Sequence, residues 1–110
     1  MKYGNRKTVV DGFTFDSAKE AKRYGELKLL MAAGEIAELE LQPVFVLGIG
    51  GQTLKYDGGR QAKYIADFAY YDMRKCKWVI EDVKSPATRT AVYKLKKAIM
   101  RAMGREIVEV

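Results

Sequence analysis

The chain has 110 residues, 48% of them hydrophobic and 31% charged, which is enough for one hydrophobic core and too few for two. Its 20 Lys and Arg against 14 Asp and Glu give a net charge of +6, which favours a polyanionic partner without proving one. There is no histidine and one cysteine, Cys76, so histidine catalysis, an internal disulfide and a multi-cysteine zinc site are excluded, and any chemistry must use carboxylates, lysines and a hard metal ion.

The N-terminal part predicts a basic arm followed by a hairpin. Asp11-Gly12 is typical of a tight two-residue turn, so residues 8–10 and 13–15 are expected to pair as strands. The arm contains Lys2, Arg6 and Lys7, which would contact the backbone phosphates of DNA or form a disordered basic tail. We therefore divide a single domain, residues 1–110, into arm and hairpin (1–15) and core (16–110).

The core is predicted to begin with a helix over residues 17–33. Ser17 and Glu20 have capping-box spacing, and Gly34 is a favoured residue after a helix end. Residues 39–47 are predicted to be extended, with Pro43 at an edge position or a break. The five glycines in residues 48–62 indicate a mobile loop or an irregular hairpin.

The second half predicts two covered strands, a helix and a final strand. The strands are residues 64–71 and 77–84, the helix runs over 88–103 up to Gly104, and the last strand is 106–110. The chain is thus an α/β (α+β) fold with the order helix, three strands, helix, strand after the hairpin. On the second helix the predicted buried stripe is Val92, Leu95, Ile99 and Ala102, the predicted solvated face is Lys94, Lys97 and Arg101, and Arg89 and Lys96 border the stripe, within reach of a DNA phosphate.

Glu20 is the first candidate for chemistry. Helical spacing places it in one stripe with Tyr24, Leu27 and Met31, and that stripe is expected to face the sheet. The alternative is that Glu20 only completes the capping box with Ser17.

Asp67, Asp82 and Lys84 are the other candidates. Asp67 lies among apolar residues of a predicted strand, where an ionised carboxylate needs a cation or hydrogen bonds. The strand period of two directs Asp82 and Lys84 to one face and Glu81 to the other. A structural salt bridge at Asp67 and an exposed Asp82–Lys84 ion pair remain the alternatives. If the three acids converge, their repulsion requires a divalent cation, and oxygen ligands suit Mg²⁺ or Mn²⁺, to which a phosphodiester can bind.

These residues resemble the PD-(D/E)XK nuclease superfamily. Ala66-Asp67 is similar to its first motif, with Ala66 in place of the Pro, and Asp82-Val83-Lys84 is similar to its acid-x-Lys motif. The resemblance extends over the element order of residues 17–110, with Glu20 in the place of the first-helix acid of many members, including phage and archaeal Holliday-junction resolvases. The helix start, residues 15–21, resembles that of a family of small phage proteins of this type.

The resemblance implies a restriction-endonuclease-like core and a Mg²⁺-dependent (or Mn²⁺-dependent) DNA endonuclease, phage-encoded and resolvase-like. Glu20, Asp67, Asp82 and Lys84 would be catalytic, with the three acids as metal ligands. The substrate would be DNA. A resolvase-like enzyme would take branched DNA, which implies a homodimer with two active sites, and the location would be the host cytoplasm without a membrane segment. Two alternatives stay open: a non-catalytic DNA- or RNA-binding module, and a phage interaction protein that has kept the fold and lost the activity.

Overall fold

The computed structural model describes residues 7–110 as an α+β fold with two α-helices and mixed β-sheets. A short 3-10 turn, Pro86–Thr88, precedes the second helix. The elements in chain order are β1 Thr8–Val10, β2 Phe13–Phe15, α1 Ala18–Ala32, β3 Ile36–Leu41, β4 Val44–Val46, β5 Gly48–Ile49, β6 Gln52–Thr53, β7 Lys63–Ile65, β8 Phe68–Asp72, β9 Lys77–Asp82, α2 Ala91–Ala102 and β10 Ile107–Glu109.

The largest sheet has four strands in the order β10-β9-β8-β3. β8 runs antiparallel to both β3 and β9, whereas β10 pairs with β9 in parallel. A parallel pair needs a long crossover connection, and α2 supplies it here. As a result the end of β9, where Asp82 lies, is flanked by strands on both sides.

Each face of this sheet has its own hydrophobic core, because successive side chains of a strand point to opposite faces. The core on the α1 side contains Phe15, Ala21, Tyr24, Leu27, Ile36, Phe68 and Tyr70. The core on the α2 side contains Leu47, Tyr64, Ala66, Ile80, Tyr93, Met100 and Ile107. The sheet is therefore covered by one helix on each side.

The predicted hairpin and the start of the first helix are confirmed. Asp11 and Gly12 have φ values of 53° and 81°, as a tight hairpin turn requires, and β1 pairs with β2 around them. Ser17 is the N-cap of α1, and its side chain accepts a hydrogen bond from the Glu20 amide. Phe15 packs beside Tyr24 with ring centroids 5.1 Å apart, so the hairpin rests on α1.

Two predicted strands are each divided in the structure. The segment 39–47 is broken at Pro43 into β3 and β4, and the segment 64–71 is broken at Ala66 and Asp67 into β7 and β8. At the second break the chain passes from the two-stranded sheet of β4 and β7 to the four-stranded sheet that contains β8. The Ala66 amide donates to the Pro43 carbonyl at this point. For residues 48–62 the sequence left a mobile loop or an irregular hairpin open, and the structure has the hairpin. In it β5 pairs with β6, and a bridge joins Lys55 and Gln61.

The predicted buried faces of both helices need correction. Met31, assigned to the buried stripe of α1, is 41% exposed. On α2, Val92 and Leu95 are each 63% exposed and Ala102 is exposed as well, whereas Ile99 is partly buried against the core as predicted. The buried residues are Tyr93 and Met100.

The correction to α2 has a physical cause. Tyr93 has the largest side chain on α2, and burying it with Met100 removes more apolar surface from water than burying Val92 and Ala102 would. Lys96 lies between Tyr93 and Met100 along the helix, half-buried, and its ammonium group donates to the Lys63 carbonyl at 2.7 Å. A lysine can border a core in this way because its aliphatic stem packs while the charge reaches a polar atom. Within residues 7–110, neither helix has the length and apolar character required to cross a bilayer.

Candidate active site

Asp67 occupies the bend between β7 and β8 rather than a strand interior. Its backbone amide donates to Asp82 Oδ1 at 2.9 Å, and its Oδ2 accepts from the Val83 amide at 2.8 Å. Each aspartate is thus tied to the other's chain segment by a backbone-to-carboxylate hydrogen bond. These bonds fix the two acids of the motif side by side.

Glu20 lies in the first turn of α1 and turns toward the sheet. It is 5% exposed, and its carboxyl lies within hydrogen-bonding distance of the Asp67 carboxyl. The cap that Ser17 provides uses the backbone amide of Glu20 and leaves its side chain for this contact. The Ser17 half of the capping box is present, but within residues 7–110 the Glu20 side chain makes no return hydrogen bond to the Ser17 backbone and belongs to the acid cluster instead.

Burial raises the pKa values of both Glu20 and Asp67, and their hydrogen bond raises that of Glu20 while lowering that of Asp67. Burial, followed by the negative charges of Asp67 and Asp16, raises the pKa of Glu20 to about 7. Burial also raises the pKa of Asp67, opposed by the Val83 amide and by the charge of Lys84. A protonated Glu20 donating to an ionised Asp67 is the arrangement that relieves the repulsion when no cation is bound.

Asp82 contributes an oxygen with no internal partner. The residue is 2% exposed, and burial raises its pKa to about 6 although the charge of Lys84 lowers it. Its Oδ2 is buried and has no hydrogen-bond partner among residues 7–110. An unpaired buried carboxylate oxygen is costly, and a bound cation would remove the cost.

Lys84 follows β9 and is held against α2. Its ammonium nitrogen lies 4.1 Å from the centre of the Tyr93 ring, a cation–π contact. The Tyr93 hydroxyl donates to Glu109 Oε2 at 2.8 Å, which fixes the ring. Lys84 is close enough to Asp67 and Asp82 for its charge to lower the pKa of each. The four predicted catalytic residues therefore come together, from α1, the β7–β8 bend and the end of β9.

The carboxylates meet in pairs rather than around one point. In the part of the chain that the structure describes, no group of three or more Asp, Glu, His or Cys side chains is placed to hold a metal ion. Binding of a cation by Glu20, Asp67 and Asp82 stays a prediction, and it would require the proton shared by the first two to leave.

Two acids near the site were missed from the sequence. Asp16 is exposed, but its charge raises the pKa of both Glu20 and Asp67. Glu81, noted only as facing away from Lys84, is 1% exposed and accepts from Arg23 Nε at 2.8 Å and Nη2 at 2.6 Å. The only sequence signals were the position of Asp16 directly before the helix cap and the presence of Arg23 one turn after Glu20.

The residues predicted to bind DNA have different surroundings. Lys2 and Arg6 lie outside the described residues, and Lys7 is exposed. Arg89 is engaged with Glu109, its Nε donating to Oε1 at 2.8 Å. Lys96 is directed to the Lys63 carbonyl. Their contact with DNA stays a prediction.

The comparisons with known proteins give one match. No curated protein and no solved structure matches the chain. A family model matches residues 1–108, which is nearly the whole sequence. The chain therefore belongs to the family described as "Protein of unknown function (DUF1064)".

Proposed function

We propose that this protein is a metal-dependent DNA endonuclease with a restriction-endonuclease-like core. The observation that carries the proposal is the contact of Glu20 with Asp67 beside the Lys84 ammonium group. The Asp67 amide also donates a hydrogen bond to the Asp82 carboxylate. A structural ion pair would need one acid and one base. Two buried acids and a partly buried one beside one lysine instead leave negative charge that a divalent cation would neutralise.

The arrangement of the core supports the same proposal. In the PD-(D/E)XK resemblance, an acid-bearing helix, three strands, a second helix and a last strand follow one another. Here α1, β3, β8, β9, α2 and β10 lie in that order along the chain, and the four strands form one sheet. The short strands β4 to β7 are then insertions between β3 and β8.

The donor set fits Mg²⁺ or Mn²⁺. Asp67 and Asp82 would hold the ion, with Glu20 completing the site directly or through water, since carboxylate oxygens are the ligands that these hard cations prefer. The unpaired Asp82 Oδ2 is an oxygen already available. When bound, the metal supplies activation of water and charge neutralisation at the phosphate.

The chain's own residues orient and stabilise the reaction. Lys84 would hold the attacking water through its ammonium group and offset the charge that develops on the phosphate oxygens. The water oxygen bonds to phosphorus, the bond from phosphorus to the 3′ oxygen breaks, and a proton from the water ends on that oxygen. The products are a 5′-phosphate and a 3′-hydroxyl.

Cleavage assays test the proposal. Supercoiled, linear and four-way-junction DNA are incubated with the full chain in Mg²⁺, Mn²⁺ or EDTA. We expect cutting that requires the metal, its loss in Asp82→Asn with DNA binding kept, and normal cutting by Asp57→Asn, a matched change at an exposed loop carboxylate.

The alternatives give different results. DNA binding that is indifferent to Mg²⁺, with no cutting of any substrate, would identify a non-catalytic nucleic-acid-binding module. Preference for the junction would identify a resolvase-like substrate. Sedimentation with and without junction DNA would then measure whether the active form is a homodimer, which symmetric junction cutting requires.

A further inference from the structure

A basic groove lies between α2 and β10. Its volume is about 320 Å³. Four basic residues and one acidic residue line it, together with an aromatic ring: Arg89, Lys94, Lys97, Arg101, Glu109 and Tyr93. The groove therefore carries an excess of positive charge.

Glu109 organises one side of this groove. Its carboxylate accepts from Arg89 Nε at 2.8 Å, from Lys97 Nζ at 3.0 Å and from the Tyr93 hydroxyl at 2.8 Å. The Tyr93 hydroxyl and the two cations lower the pKa of Glu109 to about 2, so it stays ionised and keeps hold of them. Arg89 and Lys97 are thus held in place before any ligand arrives, which reduces the ordering cost of binding.

The groove lies beside the candidate active site. Glu109 is the register partner of Asp82 in the β9–β10 pair. The charge of Lys97 lowers the pKa of Asp82. Tyr93 lines the groove and also lies under the Lys84 ammonium group.

We infer that this groove binds backbone phosphates of DNA next to the bond that is cut. The substrate class rests on the proposed function, whereas the groove itself can be tested by binding alone. Lys94 and Arg101 are exposed and seven residues apart on α2, about 10 Å along the helix axis. That distance matches the rise of about three nucleotides of B-DNA at 3.4 Å each.

The experiment measures binding without cutting. All proteins carry Asp82→Asn, and the affinity for a labelled 20-base-pair duplex is measured in EDTA over a range of salt concentrations. The test variant adds Lys94→Gln and Arg101→Gln. The control adds Lys75→Gln and Lys77→Gln, which remove the same charge from exposed positions at the far end of β9.

Removing two phosphate contacts should reduce the slope of log K against log salt by about 1.8 and weaken binding about tenfold or more in 0.1 M salt. The control should change neither value to that extent. Equal effects in the two variants would mean that only overall charge matters, and that result overturns the groove. An unchanged test variant, or no measurable binding by the parent, overturns it as well.

The outcomes separate the groove from the nuclease proposal. If the wild-type chain does not cut DNA but binding depends on the groove, the groove proposal is supported and the nuclease proposal is contradicted. If the wild-type chain cuts DNA with metal but the test variant binds DNA normally, the nuclease proposal is supported and the groove proposal is contradicted. Equal unfolding curves for the parent and both variants establish that affinity, and not folding, has changed.

Discussion

Replacing Glu20 by Gln should stabilise the metal-free protein at neutral and alkaline pH. The Gln amide can donate to Asp67 as the protonated Glu20 does, but it carries no charge. In the wild type above pH 7, Glu20 becomes ionised in the folded protein although it is 5% exposed and lies against Asp67. The variant therefore removes a repulsion and keeps the hydrogen bond.

The size and sign follow from the pKa. Burial and the neighbouring acids raise the Glu20 pKa from 4.5 to about 7, which corresponds to about 3 kcal/mol at about 1.4 kcal/mol per pH unit. Since the pKa is higher in the folded state, the folded protein binds the proton more tightly, and the free energy of unfolding falls as the pH rises from 4.5 to about 7. Below pH 4.5 Glu20 is protonated in both the folded and the unfolded state, and the cost of ionising it in the folded protein is absent.

Thermal and urea unfolding in EDTA between pH 4 and pH 8.5 provide the test. At pH 8 the variant should melt roughly 10 °C above the wild type, and the two should converge at pH 4. Glu106→Gln, at an exposed position before β10, is the matched control and should melt with the wild type throughout. Adding Mg²⁺ should stabilise the wild type more than Glu20→Gln. A wild type as stable as the variant at pH 8 without metal would refute the reasoning.

Four further substitutions, in three tests, examine the surrounding structure. Arg23→Met leaves Glu81, 1% exposed, without its cation and should lower the free energy of unfolding in urea by about 3–5 kcal/mol; a loss below about 1 kcal/mol would show that the ion pair adds little. Met100→Ala, at a fully buried position, should cost about 2–5 kcal/mol, and Leu95→Ala, 63% exposed, should stay within about 0.5 kcal/mol; the opposite order would mean that α2 is oriented differently. Glu109→Gln should destabilise the protein at pH 7, and because its folded pKa is lowered from 4.5 to about 2, the difference from wild type should vanish as the pH falls through that window; a difference that persists at pH 2 would contradict this assignment.

Local signals in the sequence were sufficient for several elements. The Asp11-Gly12 turn predicted the hairpin, and Ser17 predicted the start of α1, because both depend on one residue's own backbone preference or hydrogen bonding. The acids at positions 20, 67 and 82 were also identified from the sequence: Glu20 by its helical spacing, Asp67 by its apolar neighbours, and Asp82 by sharing a strand face with Lys84. The structure brings these three together in the contacts described above.

Other features depend on tertiary contacts that periodicity does not encode. Asp67 was expected inside a strand, but its amide and carboxylate both bond to the β9 segment, and this pulls the chain into a bend. The orientation of α2 was missed because the buried stripe was drawn through Val92 and Leu95, which placed Lys96 only at its border, although its stem packs beside the core. Asp16 was missed because an exposed residue before a helix gives no sign of the acids that α1 brings near it.

The orientation of α2 also connects the fold to the proposed activity. With the stripe predicted from Val92, Tyr93 would point away from the core and could not lie under Lys84. In the structure Tyr93 is buried, supports the Lys84 ammonium group with its ring, and binds Glu109 with its hydroxyl. The same rotation brings Lys97 from a predicted solvated face to the groove beside Asp82. Tyr93 therefore packs α2 on the sheet and also lies between Lys84, the candidate catalytic lysine, and the proposed phosphate-binding groove.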